Sequence, residues 1–186
     1  SDSLSSIPSS PEHDELLILQ WAALCVSRML TVPSHASNNS NYLSKESLQR
    51  IFAEEGACIA ITATLDANIT HPLIAEYCLK AIAALASDFS ENATIFIAIA
   101  ASEAICRTIK YHSHSENITY AGIIALISFK TPNGVLSSET VCKLIPGILR
   151  RYVSVDRLVE VACQLIYFLC KGFSKNPEND INRTYL

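Results

Sequence analysis

The chain has 186 residues, 49% of them apolar and only 17% charged, with a formal net charge of −4. A chain of this length buries about two-thirds of its unfolded surface, as one domain or one short array. No basic stripe is present, which argues against nucleic acid or an anionic membrane as partner. Five glycines among abundant Ala, Ile and Leu favour helix over sandwich or barrel.

Residues 1–13, SDSLSSIPSSPEH, are rich in Ser and Pro, and this composition predicts a disordered N-terminus. A strong helix is expected in ELLILQWAALCVSRML, with acidic residues at its start and Arg28 near its end, each complementing the helix dipole. SHASNNSN (34–41) has no apolar period and reads as a loop. From Ser44 to about Gly172 the pattern is helix after helix, broken by short polar turns. We therefore expect a helical domain over 14–172 and a polar tail over 173–186.

The helices repeat. LQWAALCVSRML, EYCLKAIAALAS, TYAGIIALISFK and VEVACQLIYFLC each carry a small residue where helices would pack closely: Ala22, Cys78, Ala121 and Ala162. The last three are spaced by 43 and 41 residues, and the 34–41 loop lengthens the first step. Between them, SLQRIFAEEG–ACIAITATL, NATIFIAIAAS–EAICRTIKY and SSETVCKLIPG–ILRRYV each read as a short helix, a break and a second helix. The breaks are expected at Gly56, at Ser102 and at Pro146–Gly147. ATIFIAIAA (93–101), apolar at eight of nine positions, is then a short helix covered on most sides.

The seven cysteines are odd in number and form no CxxC, so free thiols and a reducing, cytoplasmic setting are expected. The sequons at Asn38, Asn68, Asn92, Asn117 and Asn182 read as chance in a chain rich in Asn, Ser and Thr. No apolar run reaches the ~18 residues of a spanning helix, and no signal-peptide pattern opens the sequence. GxSxG, GxGxxG and GKS motifs are absent. His71–Pro72 reads as a helix start. Cys106, His112 and His114 do not share a helical face, since Cys106 and His112 lie about 240° apart. Neither enzyme chemistry nor a metal or cofactor is expected.

A three-helix unit of about 42 residues, with Gly at its first corner and a long third helix of the form A-x-x-A-L-x-x-L-A, resembles the armadillo repeat. EEGACIAITATL…IAEYCLKAIAALAS (54–87) is the best copy. The resemblance covers roughly 15–171. It implies an all-α, right-handed α-solenoid of about three to four armadillo-like repeats, with two-helix HEAT units as the near neighbour. It also implies a non-catalytic protein-binding module of a larger protein, whose third helices line a concave face.

In importin-α- and β-catenin-like members, a Trp and an Asn on each third helix grip an extended peptide. Aligned on the small residue, the Trp position falls on Leu24, Lys80, Ile123 and Gln164, and the Asn position on Arg28, Ala84, Ile127 and Phe168. Neither ladder is present, which disfavours a basic localisation signal as ligand. Leu24, Ile123, Ile127 and Phe168 on this face suit an apolar partner instead, such as an amphipathic helix, a small GTPase or another domain of the same protein, and Tyr167 with Gln164 is a further contact candidate. In a short, tightly curved array the same residues would touch one another. Lys143, Arg150, Arg151 and Arg157 form a loose basic cluster near the last unit. A structural alternative is an oligomerisation or spacer element, such as a homodimer, pairing through the apolar face or an exposed repeat end. The last helix, apolar on several sides, is the end expected to need cover.

Overall fold

The computed structural model describes residues 11–31, 43–129 and 139–173. They form α1 (Pro11–Thr31), α2 (Lys45–Glu54), α3 (Ala57–Ala67), α4 (Pro72–Ala86), α5 (Ser90–Ala98), α6 (Ala101–Tyr111), α7 (Glu116–Ser128), α8 (Glu139–Arg151) and α9 (Asp156–Phe173). The fold is all-α, and no strand occurs among the described residues. The helix begins at Pro11, within the stretch expected to be disordered. Residues 1–10, the 34–41 loop and all but the first residue of the 173–186 tail lie outside the described residues.

Local signals set several starts. Ser44 caps α2 by accepting from the Ser47 amide at 3.1 Å, and Ser115 caps α7 by accepting from Ile118 at 3.4 Å. Pro72 opens α4 at a position whose N–H has no helical partner to lose. Four helices form a row: α1 packs along α4, α4 along α7, and α7 along α9. A second row lies behind it, with α3 against α4 and α6, α6 against α7 and α8, and α8 against α9. Ile82, Leu85, Ile105, Ile123, Leu126, Ile145 and Leu165, drawn from both rows, are buried in one shared core. Each such side chain contributes about 1.5–3 kcal/mol on burial.

Polar ties cross from one step to the next. The Tyr152 hydroxyl donates to the Ser113 carbonyl at 2.7 Å. His112 Nε2 lies 2.7 Å from the Ile69 carbonyl. A carbonyl has no proton to give, so Nε2 carries it. Arg107 pairs with Asp66, and Arg157 with Glu116 and Asn117. The buried Gln49 side-chain amide donates to the carbonyls of Ala84, Leu85 and Ser87. Asn92 donates to Leu85 and to the Gln49 carbonyl, both at 3.0 Å. Buried this way, Asn92 cannot carry a glycan in the folded chain.

Two expected breaks move. The corner between α5 and α6 lies at Ala100, with φ +56°, and Ser102 is buried inside α6. ATIFIAIAA is therefore divided between two helices, and Thr94, Ala98 and Ala100 are exposed. Pro146–Gly147 breaks nothing: α8 runs through both. Both residues face outward, while Val141, Cys142, Leu144, Ile145 and Ile148 are buried. Their burial outweighs the ~3 kcal/mol a helical proline costs.

Gly56, with φ +80° and open space where a Cβ would sit, makes the corresponding corner between α2 and α3. A left-handed backbone costs an L-residue roughly 1–2 kcal/mol. Gly56→Ala is expected to lower stability by about 1 kcal/mol and Ala100→Gly to raise it by about the same. Urea unfolding with an unchanged m-value measures both.

Candidate functional site

The nine residues expected on the third-helix face divide into three groups. Arg28, Lys80, Gln164 and Tyr167 are exposed. Leu24 and Phe168 are half-buried, and Phe168 packs against the core. Ala84, Ile123 and Ile127 are buried, Ile123 completely. These three are core residues and offer a partner no surface. Their helices, α4 and α7, have neighbours on both sides, whereas α1 and α9 end the row.

The structure brings together aromatic and cationic residues that the alignment treated separately. Lys80 Nζ lies 5.6 Å from the centre of the Tyr77 ring on α4. The Arg157 guanidinium, reaching from α9, lies 5.5 Å from that of Tyr120 on α7. Lys171 Nζ lies 5.8 Å from that of Tyr167 on α9, whose edge meets Phe168. Tyr77 and Tyr120 each stand one residue before the small anchor. Trp21 stands at the matching place on α1 and is 59% exposed. That aromatic series was visible in the sequence. The Arg157 pairing was not, because Arg157 comes from a different helix from its ring.

The basic cluster does not stand alone. Lys143 pairs with Glu139, Arg157 pairs with Glu116, and Arg150 Nε donates to the Pro146 carbonyl at 3.2 Å. No group of three or more metal-ligating side chains gathers among the described residues. No single described helix is long and apolar enough to cross a membrane; α5 and α6 reach that length only together, bent by 75°.

The cysteines fall into two sets. Cys25, Cys163 and Cys170 are exposed, whereas Cys58, Cys78, Cys106 and Cys142 are buried. Cys163 lies within the apolar pattern VEVACQLIYFLC, which by itself predicts burial, yet it is exposed. Loss of solvation pushes the Cys58 thiol up to about 11 and those of Cys78 and Cys106 up to about 12. Burial also raises Cys142, helped by the neighbouring Cys170. The buried thiols are thus held in the protonated, unreactive form.

Comparison with protein-family models, with characterised proteins and with solved structures finds no match.

Three thiols are expected to react rapidly with a disulfide reagent in the native state, and the four buried ones only on unfolding. Counting released chromophore before and after denaturant checks this. Because the folded thiol pKa values lie above the ordinary 9.0, the unfolded chain loses these protons first as pH rises. The contribution is intact below pH 9 and declines from there toward 11–12. Cys78→Ala should flatten the fall in urea midpoint between about pH 9 and 10.

Proposed function

We propose that this chain is a short armadillo-like α-solenoid acting as a non-catalytic binding module for a partner protein or peptide. In this reading α4, α7 and α9 are successive third helices, and α3, α6 and α8 the second helices behind them. The contacts support it, since α1, α4, α7 and α9 pack each on the next, α3, α6 and α8 each pack on α4, α7 and α9 in turn, and α3 packs on α6 and α6 on α8. So do the 43- and 41-residue steps between anchors.

The observation that carries the binding role is the recurring ring–cation pair at matching positions, Tyr77 with Lys80 and Tyr120 with Arg157. Tyr and Arg dominate the energetics of protein interfaces, because they bury large area at small entropic cost and keep a polar end. Each cation already rests near a ring, so less ordering remains when a partner arrives. With no amide ladder to hold a backbone, selectivity in this reading rests on the partner's side chains. A small GTPase or another domain of the same protein are the partner classes the resemblance brings.

Affinity capture with the intact chain, compared with a Lys80→Glu/Tyr120→Ala variant shown by circular dichroism to be folded, tests the reading. Partners are expected to be retained by the wild type and reduced at least tenfold for the variant, the scale of one lost hot spot. Equal capture by both would overturn the assignment of this face. Ile123→Asp cannot serve in such a test: it places an unpaired carboxylate in the core and is expected to unfold the chain.

A further inference from the structure

The two end helices of the row are complementary in what they leave open. Aligned on Ala22 and Ala162, five positions of α1 match five of α9: Ile18 with Leu158, Trp21 with Val161, Ala22 with Ala162, Cys25 with Leu165 and Met29 with Leu169. All five are buried on α9, where α7 and α8 cover them. All five are exposed on α1, Ile18 at 67% and Met29 at 52%. The opposite face shows the reverse. Ala23, Ser27 and Leu30 are buried on α1, and the matching Cys163, Tyr167 and Cys170 of α9 are exposed. On α4 both faces are closed: Ile74, Cys78, Ala81 and Leu85 on one, Leu79 and Ala86 on the other.

We propose that a second copy of this chain covers α1, laying the exposed face of its α9 on the exposed face of α1, so that copies stack head to tail. This rests on the reading of α1, α4, α7 and α9 as equivalent helices. The contact continues an interface the chain already makes three times, α1 on α4, α4 on α7 and α7 on α9. The chemistry fits. Ile18, Trp21, Cys25 and Met29 offer an apolar stripe, and Cys163, Tyr167 and Cys170 small side chains around one ring, with Glu160, Gln164 and Lys171 as a polar border. A Tyr ring against Trp and Met gains from aromatic and sulfur–aromatic contact. A symmetric α1–α1 pair would leave the α9 face open. The head-to-tail contact closes both faces with one interface, and it propagates because it does not return on itself.

Sedimentation velocity of the intact chain under reducing conditions reads the assembly directly. The mass is expected to rise with concentration from 20.3 kDa through dimer to longer species. Ile18→Asp removes the α1 face and Tyr167→Asp the α9 face; both positions are exposed, so both variants are expected to fold. Each variant alone should remain a monomer. Mixed in equal amounts, they should form a dimer and stop there, because the intact α9 of one meets the intact α1 of the other and both remaining ends are disabled. The proposal is overturned by a monomeric wild type at every concentration, whatever then covers α1. It is also overturned by a mixture that stays monomeric, or by self-association of Tyr167→Asp alone, which would mark an α1–α1 pair. Lys80→Glu/Tyr120→Ala touches neither end face and should still stack, so loss of partner capture and loss of stacking are read separately.

Discussion

The structure hangs on the treatment of one helix end. The last carbonyls of any helix lack intrahelical donors, and α4 ends in the middle of the packed core. Gln49 from α2 supplies N–H groups to Ala84, Leu85 and Ser87, and Asn92 from α5 supplies one to Leu85. Asn92 also donates to the Gln49 backbone, so the two amides lock α2, α4 and α5 into one arrangement. An unmet buried carbonyl costs about 1–3 kcal/mol, so this pair removes a penalty comparable to a large part of a domain's net stability. The satisfaction is incomplete: Asn92 Oδ1 has no partner among the described residues. That one open acceptor stands against five bonds that the two amides make to carbonyls.

With α4 fixed, its neighbours inherit their positions. It is the one helix that touches α1, α2, α3, α5 and α7. The corner ties, His112 to Ile69 and Tyr152 to Ser113, then carry the same offset forward to the later helices. Arg107–Asp66 and Arg157–Glu116 repeat the pattern on the surface, though exposed pairs contribute little energy. Their value is geometric: Arg157 is held where its guanidinium also meets the Tyr120 ring. A contact that sets the spacing of two helices thereby shapes the face proposed to bind.

The sequence revealed more of the helices than of their surfaces. The long helices were legible because small residues recur where they pack, at Cys78, Ala121 and Ala162. Gly56 was legible because the residue best suited to a left-handed corner stands there. Ala100 makes the matching corner without any such residue, so the pattern pointed two positions on, to Ser102. Pro146–Gly147 erred in the opposite sense: the helix-breaking residues are present, but they face solvent on a helix whose other side is strongly buried. The candidate site was the hardest part. Lys80 and Ile123 occupy aligned positions, yet one is exposed and the other fully buried. Exposure depends on neighbours that a local pattern does not contain. The apolar end was also misplaced: the outer side of α9 carries Glu160, Gln164 and Lys171 around Tyr167, and the open apolar stripe belongs to α1.

What the amides do inside the core bears on what the surface can do. In a groove that grips peptide backbone, side-chain amides must face outward in series. Here Gln49 and Asn92 face inward, and their donors are already engaged with α4 and α2 carbonyls. On the outer side of the row the recurring groups are the Tyr77–Lys80 and Tyr120–Arg157 pairs instead. A ring flanked by a cation has no fixed geometry for a peptide backbone, but it rewards a partner with apolar or aromatic groups set beside acceptors. The polar chemistry of this chain thus divides by layer: amides inside set the fold, and ring–cation pairs outside remain for recognition. The division is one of hydrogen bonds: changing Tyr77, Lys80 or Tyr120 disturbs none of those that hold α4, while the bodies of both rings still pack against the core.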